Sequence, residues 1–209
     1  MIITYYGISC FKVQNGETVL FIDPFAKESG LTPPRGQATI VLSTNTDPNH
    51  SNIDAFAGDP FIITAPGEYE MKGIFIQGIS TTNKSNPQKN SCFVIEWDDI
   101  VFCHLGNIGK KDFTEDVQEA IGNPDILFVP VGGENSLDAE EAAAVTSKIS
   151  PRIVIPMHYH TDSVKISLDK PSLFIKEVGD ENAKPEEKFV FKKKDLPQEE
   201  TKLIYLSRT

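Results

Sequence analysis

This chain has four histidines, and each closely follows an apolar run: His50, His104 and the pair His158 and His160. Imidazole readily ligates divalent metals and moves protons near neutral pH. The runs before them, Ile40-Val41-Leu42, Ile100-Val101-Phe102 and Ile153-Val154-Ile155, have the composition of buried strands. Loops leaving such strands are where sites are commonly built. Three polar stretches are therefore candidates for one common site: Thr44 to His50, His104 to Asn107, and Pro156 to His160.

Other chemistries find little support. There is no Gly-x-Ser-x-Gly elbow, no phosphate-binding glycine loop and no dinucleotide fingerprint. Ser43, Thr44 and Ser51 flank His50, but no oxyanion element accompanies them. Cys10, Cys92 and Cys103 are odd in number and not in CxxC spacing, which argues for reduced core thiols in a cytoplasmic protein. The formal charge of -10 disfavours nucleic acid as a partner. Lys192-Lys193-Lys194 reads as a solvated strand end. No window is apolar enough to span a membrane, and Met1 to Tyr6 opens straight into a β-branched run without a signal peptide's basic start. With 209 residues, 39% of them apolar, one domain over residues 1–209 is the expectation.

The elements that must position the histidines are mostly strands. Phe11-Lys12-Val13 and Val19 to Ile22 flank Asn15-Gly16, a hairpin signal because both residues tolerate positive φ. Further strands are expected at Ala38 to Leu42, Phe61 to Ile63, Ile74 to Ile76, Phe93 to Ile95 and Ile100 to Phe102, with an exposed loop from Thr81 to Asn90. The second half alternates. A helix from Phe113 to Ile121 precedes the strand Ile126 to Val129. A second helix, capped by Asp138, runs to Ile149 before the strand Ile153 to Pro156. Leu168 to Val178 has helical spacing, and Phe189 to Phe191 and Leu203 to Leu206 read as late strands. Sheets covered by helices, α/β or α+β, follow from this order.

Several segments together resemble the metallo-β-lactamase superfamily, in particular its UlaG-like branch of predicted zinc-dependent hydrolases. They are Tyr5-Tyr6-Gly7, Phe21-Ile22-Asp23-Pro24-Phe25, Pro66-Gly67-Glu68-Tyr69, His104-Leu105-Gly106-Asn107, Pro130-Val131-Gly132-Gly133 and Ile155-Pro156-Met157-His158-Tyr159. The resemblance implies an αββα sandwich of two mixed β-sheets flanked by helices. It also implies a frame for two zinc ions and a bridging hydroxide at one edge. In that frame the loop histidines fall on Asn45 and Asp47, the loop aspartate on Asn49 and the bridging aspartate on Asn107. His50 and His158 are retained. The family's middle histidine has no counterpart by motif; Glu68 and His104 are the two residues that can lie near its place.

A neutral amide oxygen is a poor zinc ligand. The expectation is thus a metallo-β-lactamase-fold protein with a degenerate metal site, acting as a non-catalytic or ligand-binding homologue, with a small molecule as its ligand. One alternative is a hydrolase keeping a single weakly bound divalent ion, zinc or manganese, on His50, His158 and Asp47, with a small phosphorylated or lactone-like substrate. Another is an interaction or scaffold protein with the old cleft packed shut. No other cofactor is expected. Asp47 is equally a turn former before Pro48, and His50 and His158 can be structural. Asp23 and His104 are candidates for orienting the site from behind. Asp23 is also a strand-terminating turn residue, and Gly132-Gly133 suits a close backbone approach or a tight turn.

Overall fold

Alternation builds the first sheet. On β1 (Ile2–Gly7) the side chains of Ile3 and Tyr5 face inward while Ile2, Thr4 and Tyr6 are only partly covered. The computed structural model describes residues 1–82 and 89–209. In chain order there follow β2 (Cys10–Asn15), β3 (Thr18–Ile22), β4 (Gly36–Gln37), β5 (Ile40–Leu42), β6 (Phe56–Ala57), β7 (Phe61–Ile63) and β8 (Gly67–Met71). The second half holds β9 (Ile74–Thr82), β10 (Lys89–Trp97), β11 (Ile100–His104), α1 (Glu115–Ile121), β12 (Ile126–Pro130), α2 (Ala139–Ile149) and β13 (Ile153–Met157). Last come α3 (Pro171–Glu177), β14 (Phe189–Val190) and β15 (Lys202–Leu203).

Two mixed sheets result, as the resemblance implied. One has the order β14-β1-β2-β3-β5-β7 and the other β15-β13-β12-β11-β10-β9-β8. In each, one half is antiparallel and the other parallel: β3, β5 and β7 run together, and so do β11, β12, β13 and β15. Between the sheets lie Tyr5 and Phe11 from the first and Phe102 and Phe128 from the second, with Phe11 and Phe128 rings 4.4 Å apart. The outer face of the first sheet carries a smaller core of Phe21, Phe25, Leu31, Val41 and Phe56, closed by loops and 3₁₀ turns. Among the described residues, no helix is long and apolar enough to cross a membrane.

The Asn15-Gly16 hairpin forms, with Asn15 opposite Thr18 and Gly16 at φ 57°. Asp138 caps α2 through a capping box with Glu141, which fixes its first turn. The third helix is shorter than its spacing suggested. Lys170 stays extended before Pro171, so the helix cannot start earlier. The expected loop from Thr81 to Asn90 is corrected at its ends. Thr81 and Asn90 are buried strand partners whose side chains satisfy each other, Asn90 Nδ2 donating to Thr81 Oγ1 at 2.7 Å. Mutual pairing, not exposure, accounts for their polarity. Residues 83–88 of that stretch lie outside the described residues. Glu68 sits exposed on the edge strand β8.

Two loops meet behind the strand ends. A Cβ on Gly132, just past β12, would come within 2.0 Å of the His158 carbonyl oxygen just past β13. Only glycine permits this approach, which answers the choice between close approach and tight turn. Gly132→Ala is therefore expected to destabilise the protein by about 2–4 kcal/mol, read as a lowered urea midpoint. An unchanged midpoint would contradict the close contact.

Candidate functional site

The polar residues singled out in sequence leave the carboxyl ends of parallel-paired strands, the usual place for a site in such sheets. Asp23 follows β3, Thr44 to His50 follow β5, Asn107 follows β11, Gly132 to Asn135 follow β12, and His158 follows β13. Four non-glycine residues here have left-handed backbone: Ile8 (φ 56°), Asp23 (49°), Glu134 (58°) and His158 (54°). For branched Ile8 in particular this is unfavourable, and such strain clusters where the surroundings over-determine a functional geometry.

Asp23 is the hub. Its carboxylate is fully buried and accepts from Thr44 N (2.7 Å), Thr44 Oγ1 (2.7 Å) and His50 Nδ1 (2.9 Å). Burial pushes its pKa up, but the charge and hydrogen bond of His50, with smaller help from His104 and the Thr44 amide, outweigh it and hold the acid below the ordinary carboxylate value. An ionised carboxylate only accepts, so His50 carries a proton on Nδ1 and keeps Nε2 for the cleft it lines.

His158 is fixed from the other side. Its amide donates to the Ile8 carbonyl, which also accepts from the Tyr5 hydroxyl at 2.9 Å, and its Nδ1 lies 3.2 Å from Ser9 Oγ. Burial, and then the neighbouring His50, depress its pKa to about 3, so the ring is neutral at physiological pH. The His50 and His158 rings lie 5.5 Å apart and nearly parallel, at 21°. His104 stands behind them. Its Nε2 donates to the Ser9 carbonyl (2.9 Å), its Nδ1 accepts from Gly106 N (3.1 Å), and Phe11 and Phe128 pack on its ring. Both nitrogens are thus used structurally, and burial lowers its pKa.

The loop after β5 is held by its own side chains. Asn45 Oδ1 accepts from Asp47 N (2.9 Å), and Asp47 Oδ1 accepts from Asn49 N (2.8 Å), two successive Asx turns. Ser43 Oγ lies within hydrogen-bond reach of the carbonyls of Asn45 (2.6 Å) and His50 (2.9 Å), between which its one hydrogen is shared. Opposite, Gly106 at φ 60° brings the chain so close that a Cβ would lie 2.5 Å from Asn90 Oδ1. That oxygen accepts from Asn107 N at 2.9 Å, while the buried Asn107 Oδ1 has no hydrogen-bond partner among the described residues.

These residues enclose a cleft of about 230 Å³. His50, His158, Asn45, Asp47, Asn49 and Asn107 all line it. Asn90, Glu134, Asn135 and Ile166 complete the wall, and the described lining residues include no Lys or Arg. Asp23 and His104 stand outside the lining, His160 is exposed, and Glu68 is on the far edge strand. No group of three or more His, Cys, Asp or Glu among the described residues is placed to hold a metal ion. His50 and His158 approach each other, but Asp47 does not complete a set with them.

Sequence reasoning passed over Ser9, Asn90 and Glu134. Ser9 lies in the turn between β1 and β2, 149 positions from its partner His158, and nothing local marks it. Asn90 lay inside a segment read as loop. Glu134 had one signal, its place beside Gly132-Gly133.

The model of the beta-lactamase superfamily domain matches residues 2–158. The chain is 27% identical to a UPF0173 metal-dependent hydrolase of Thermococcus onnurineus, across 85% of this chain and 92% of that protein. It is 32% identical to a UPF0173 metal-dependent hydrolase of Pyrococcus horikoshii, but that match spans 54% of this chain and only 52% of the relative. A proposed zinc-dependent hydrolase of the metallo-β-lactamase superfamily from Thermotoga maritima shares the fold with a TM-score of 0.80 and 28% identity, covering 99% of each chain. The isothiocyanate hydrolase from Delia radicum gut bacteria, at 16% identity and a TM-score of 0.69 over 91% of this chain and 99% of its own, is alike in fold alone.

Two buried neutral imidazoles give the protein an acid sensitivity. The pKa values of His104 and His158 are lowered in the folded state, so the unfolded chain takes up these protons first, near the free-imidazole value of about 6.5. Their contribution is intact above that value and is lost as pH falls below it. Stability should decline between about pH 7 and about pH 5, and less steeply in His104→Gln, which itself is less stable at about pH 7. Equal slopes in urea titrations of the two proteins would show that His104 is not held neutral.

Proposed function

The chain belongs to the metallo-β-lactamase superfamily, and we propose that it uses the fold to bind a small molecule rather than to run a dinuclear zinc hydrolase. It is related to metal-dependent hydrolases. One observation carries the reading. At the two positions where the family places its first loop histidines, Asn45 and Asp47 each spend a side-chain oxygen on the loop's own backbone. These side chains hold the loop's shape; they do not present the imidazole nitrogens that a first zinc position needs. At the second position the two family acids are the amides Asn49 and Asn107, which leaves two imidazoles and no anionic partner. The residues present do not fit a two-zinc centre.

The same replacements suit a cleft without metal. Two carboxylates held close together and away from water would repel each other and resist desolvation. Amides fill the same space without charge. The cleft's volume of about 230 Å³ and its strained, glycine-dependent frame speak against a site packed shut for a scaffold role.

A second reading has its own support. His50 and His158 each commit Nδ1 to a buried partner, the usual way of orienting an imidazole toward a metal. The orphaned Asn107 Oδ1 adds a weak oxygen donor. One labile divalent ion, zinc or manganese, would be held there.

Elemental analysis of untagged, dialysed protein decides between the two. Less than about a tenth of an equivalent of zinc or manganese per chain is the expected result, given the weak donor set; a full equivalent that survives dialysis overturns it. The converse experiment restores the ligands. The variant carrying Asn45→His, Asp47→His, Asn49→Asp and Asn107→Asp should bind zinc about 100-fold more tightly or better than the parent. A folded quadruple variant with no gain would mean that these positions do not face a common point.

A further inference from the structure

The wall of the cleft also bears on what enters it, and this rests on the reading of the site as a metal-free binding cleft. The hydrogen-bonding capacity left after the internal bonds are counted is weighted toward acceptors. Asn107 Oδ1 is buried and has no hydrogen-bond partner among the described residues. Asp47 keeps one carboxylate oxygen after its turn bond to Asn49 N. Glu134 stands at the rim with a second carboxylate, on a backbone held at φ 58°. Asn49 offers an amide, a donor and an acceptor side by side, which matches a hydroxyl group that both gives and receives. Asn45 and Asn90, by contrast, already spend their oxygens on Asp47 N and Asn107 N.

Charge points the same way. His50 faces the Asp23 carboxylate at 2.9 Å, so the pair adds no net positive charge to the cleft. Asp47 and Glu134 then remain, and no Lys or Arg stands among the described lining residues. A phosphate or carboxylate desolvated here would meet two carboxylates and an orphan carbonyl oxygen, an arrangement that rejects anions. The volume, about 230 Å³, is below the roughly 300–1,000 Å³ of sites for drug-sized molecules, so the occupant is small.

We propose that the cleft selects a small polyhydroxylated molecule bearing a protonated amine, with Asp47 and Glu134 receiving the ammonium and Asn49 and Asn107 reading the hydroxyls, and that it excludes phosphate esters. An amino sugar has this chemistry. The phosphorylated substrate implied by the family resemblance does not.

Three probes built on one hexose ring test it near neutral pH: glucosamine, glucose and glucose 6-phosphate, each titrated into chelator-treated protein by calorimetry. Glucosamine should bind in the millimolar range or better, about tenfold more tightly than glucose, with no saturable binding of glucose 6-phosphate. In the double variant Asp47→Asn and Glu134→Gln the glucosamine preference should fall to nearly that of glucose. Both positions are at least partly exposed, so folding is not at stake. Asn107→Leu should weaken both sugars together. The proposal is overturned if glucose 6-phosphate binds as well as glucosamine, if glucosamine does not bind at all, or if the double variant keeps the preference. Zinc measured on an untreated sample of the same preparation separates the two failures. A full equivalent of zinc sinks the metal-free reading, whereas zinc-free protein that prefers the anion sinks only the choice of ligand.

Discussion

A single buried carboxylate ties the site together. Removing Asp23 from water is unfavourable by several kcal/mol, and three hydrogen bonds to Thr44 and His50 must offset that. They can do so only if β3 and β5 lie side by side and the Thr44 to His50 loop folds back over their ends. Satisfying this one charge therefore sets the register of the loop, the orientation of His50 and the protonated nitrogen of its ring. Placing Asp23 in a left-handed conformation has an unfavourable local energy, which its three hydrogen bonds to Thr44 and His50 outweigh.

A second constraint comes from the opposite sheet. The chain after β13 passes so close to Gly132 that no side chain fits between them, and the β1–β2 turn closes over it through the Ile8 carbonyl and Ser9. His104 joins these parts from behind, its two nitrogens bonded to Ser9 and Gly106 while its ring fills space between Phe11 and Phe128. A histidine in a hydrolase-like fold invites a chemical role. Here the packing and the full use of both nitrogens make it a strut that carries the positions of Ser9 and Gly106 toward the cleft.

The frame and the lining thus follow different requirements. The frame, with its strained residues and close glycines, depends on backbone contacts that tolerate little change. The lining is a matter of side chains on that frame, and chemistry is exchanged there without disturbing the fold. Replacing a carboxylate by its amide keeps the volume and changes only charge and donor count. In this chain, related to metal-dependent hydrolases, the side chains lining the cleft are mostly amides and imidazoles.

Much of this was legible in the sequence. Apolar runs ending in polar loops located the strands, and strand–helix alternation obliges β11, β12 and β13 of one sheet to end on the same side. The meeting of the His50 segment of the other sheet with them follows instead from how the sheets pack. The capping box of α2 and the Asn15-Gly16 hairpin are local, and local rules found them. Other features were beyond local reach. Asn90 and Thr81 read as loop because each is polar, whereas their burial rests on a cross-strand bond that composition cannot reveal. Ser9 meets His158 across 149 positions because the two sheets pack face to face, and Asp23 meets His50 across 27 because β3 pairs with β5. Which polar segments leave the strand ends was a property of sequence pattern; which of them meet, and which of their atoms remain free to meet a ligand, was decided only in three dimensions, because every hydrogen bond made inside the fold removes a donor or acceptor from the cleft.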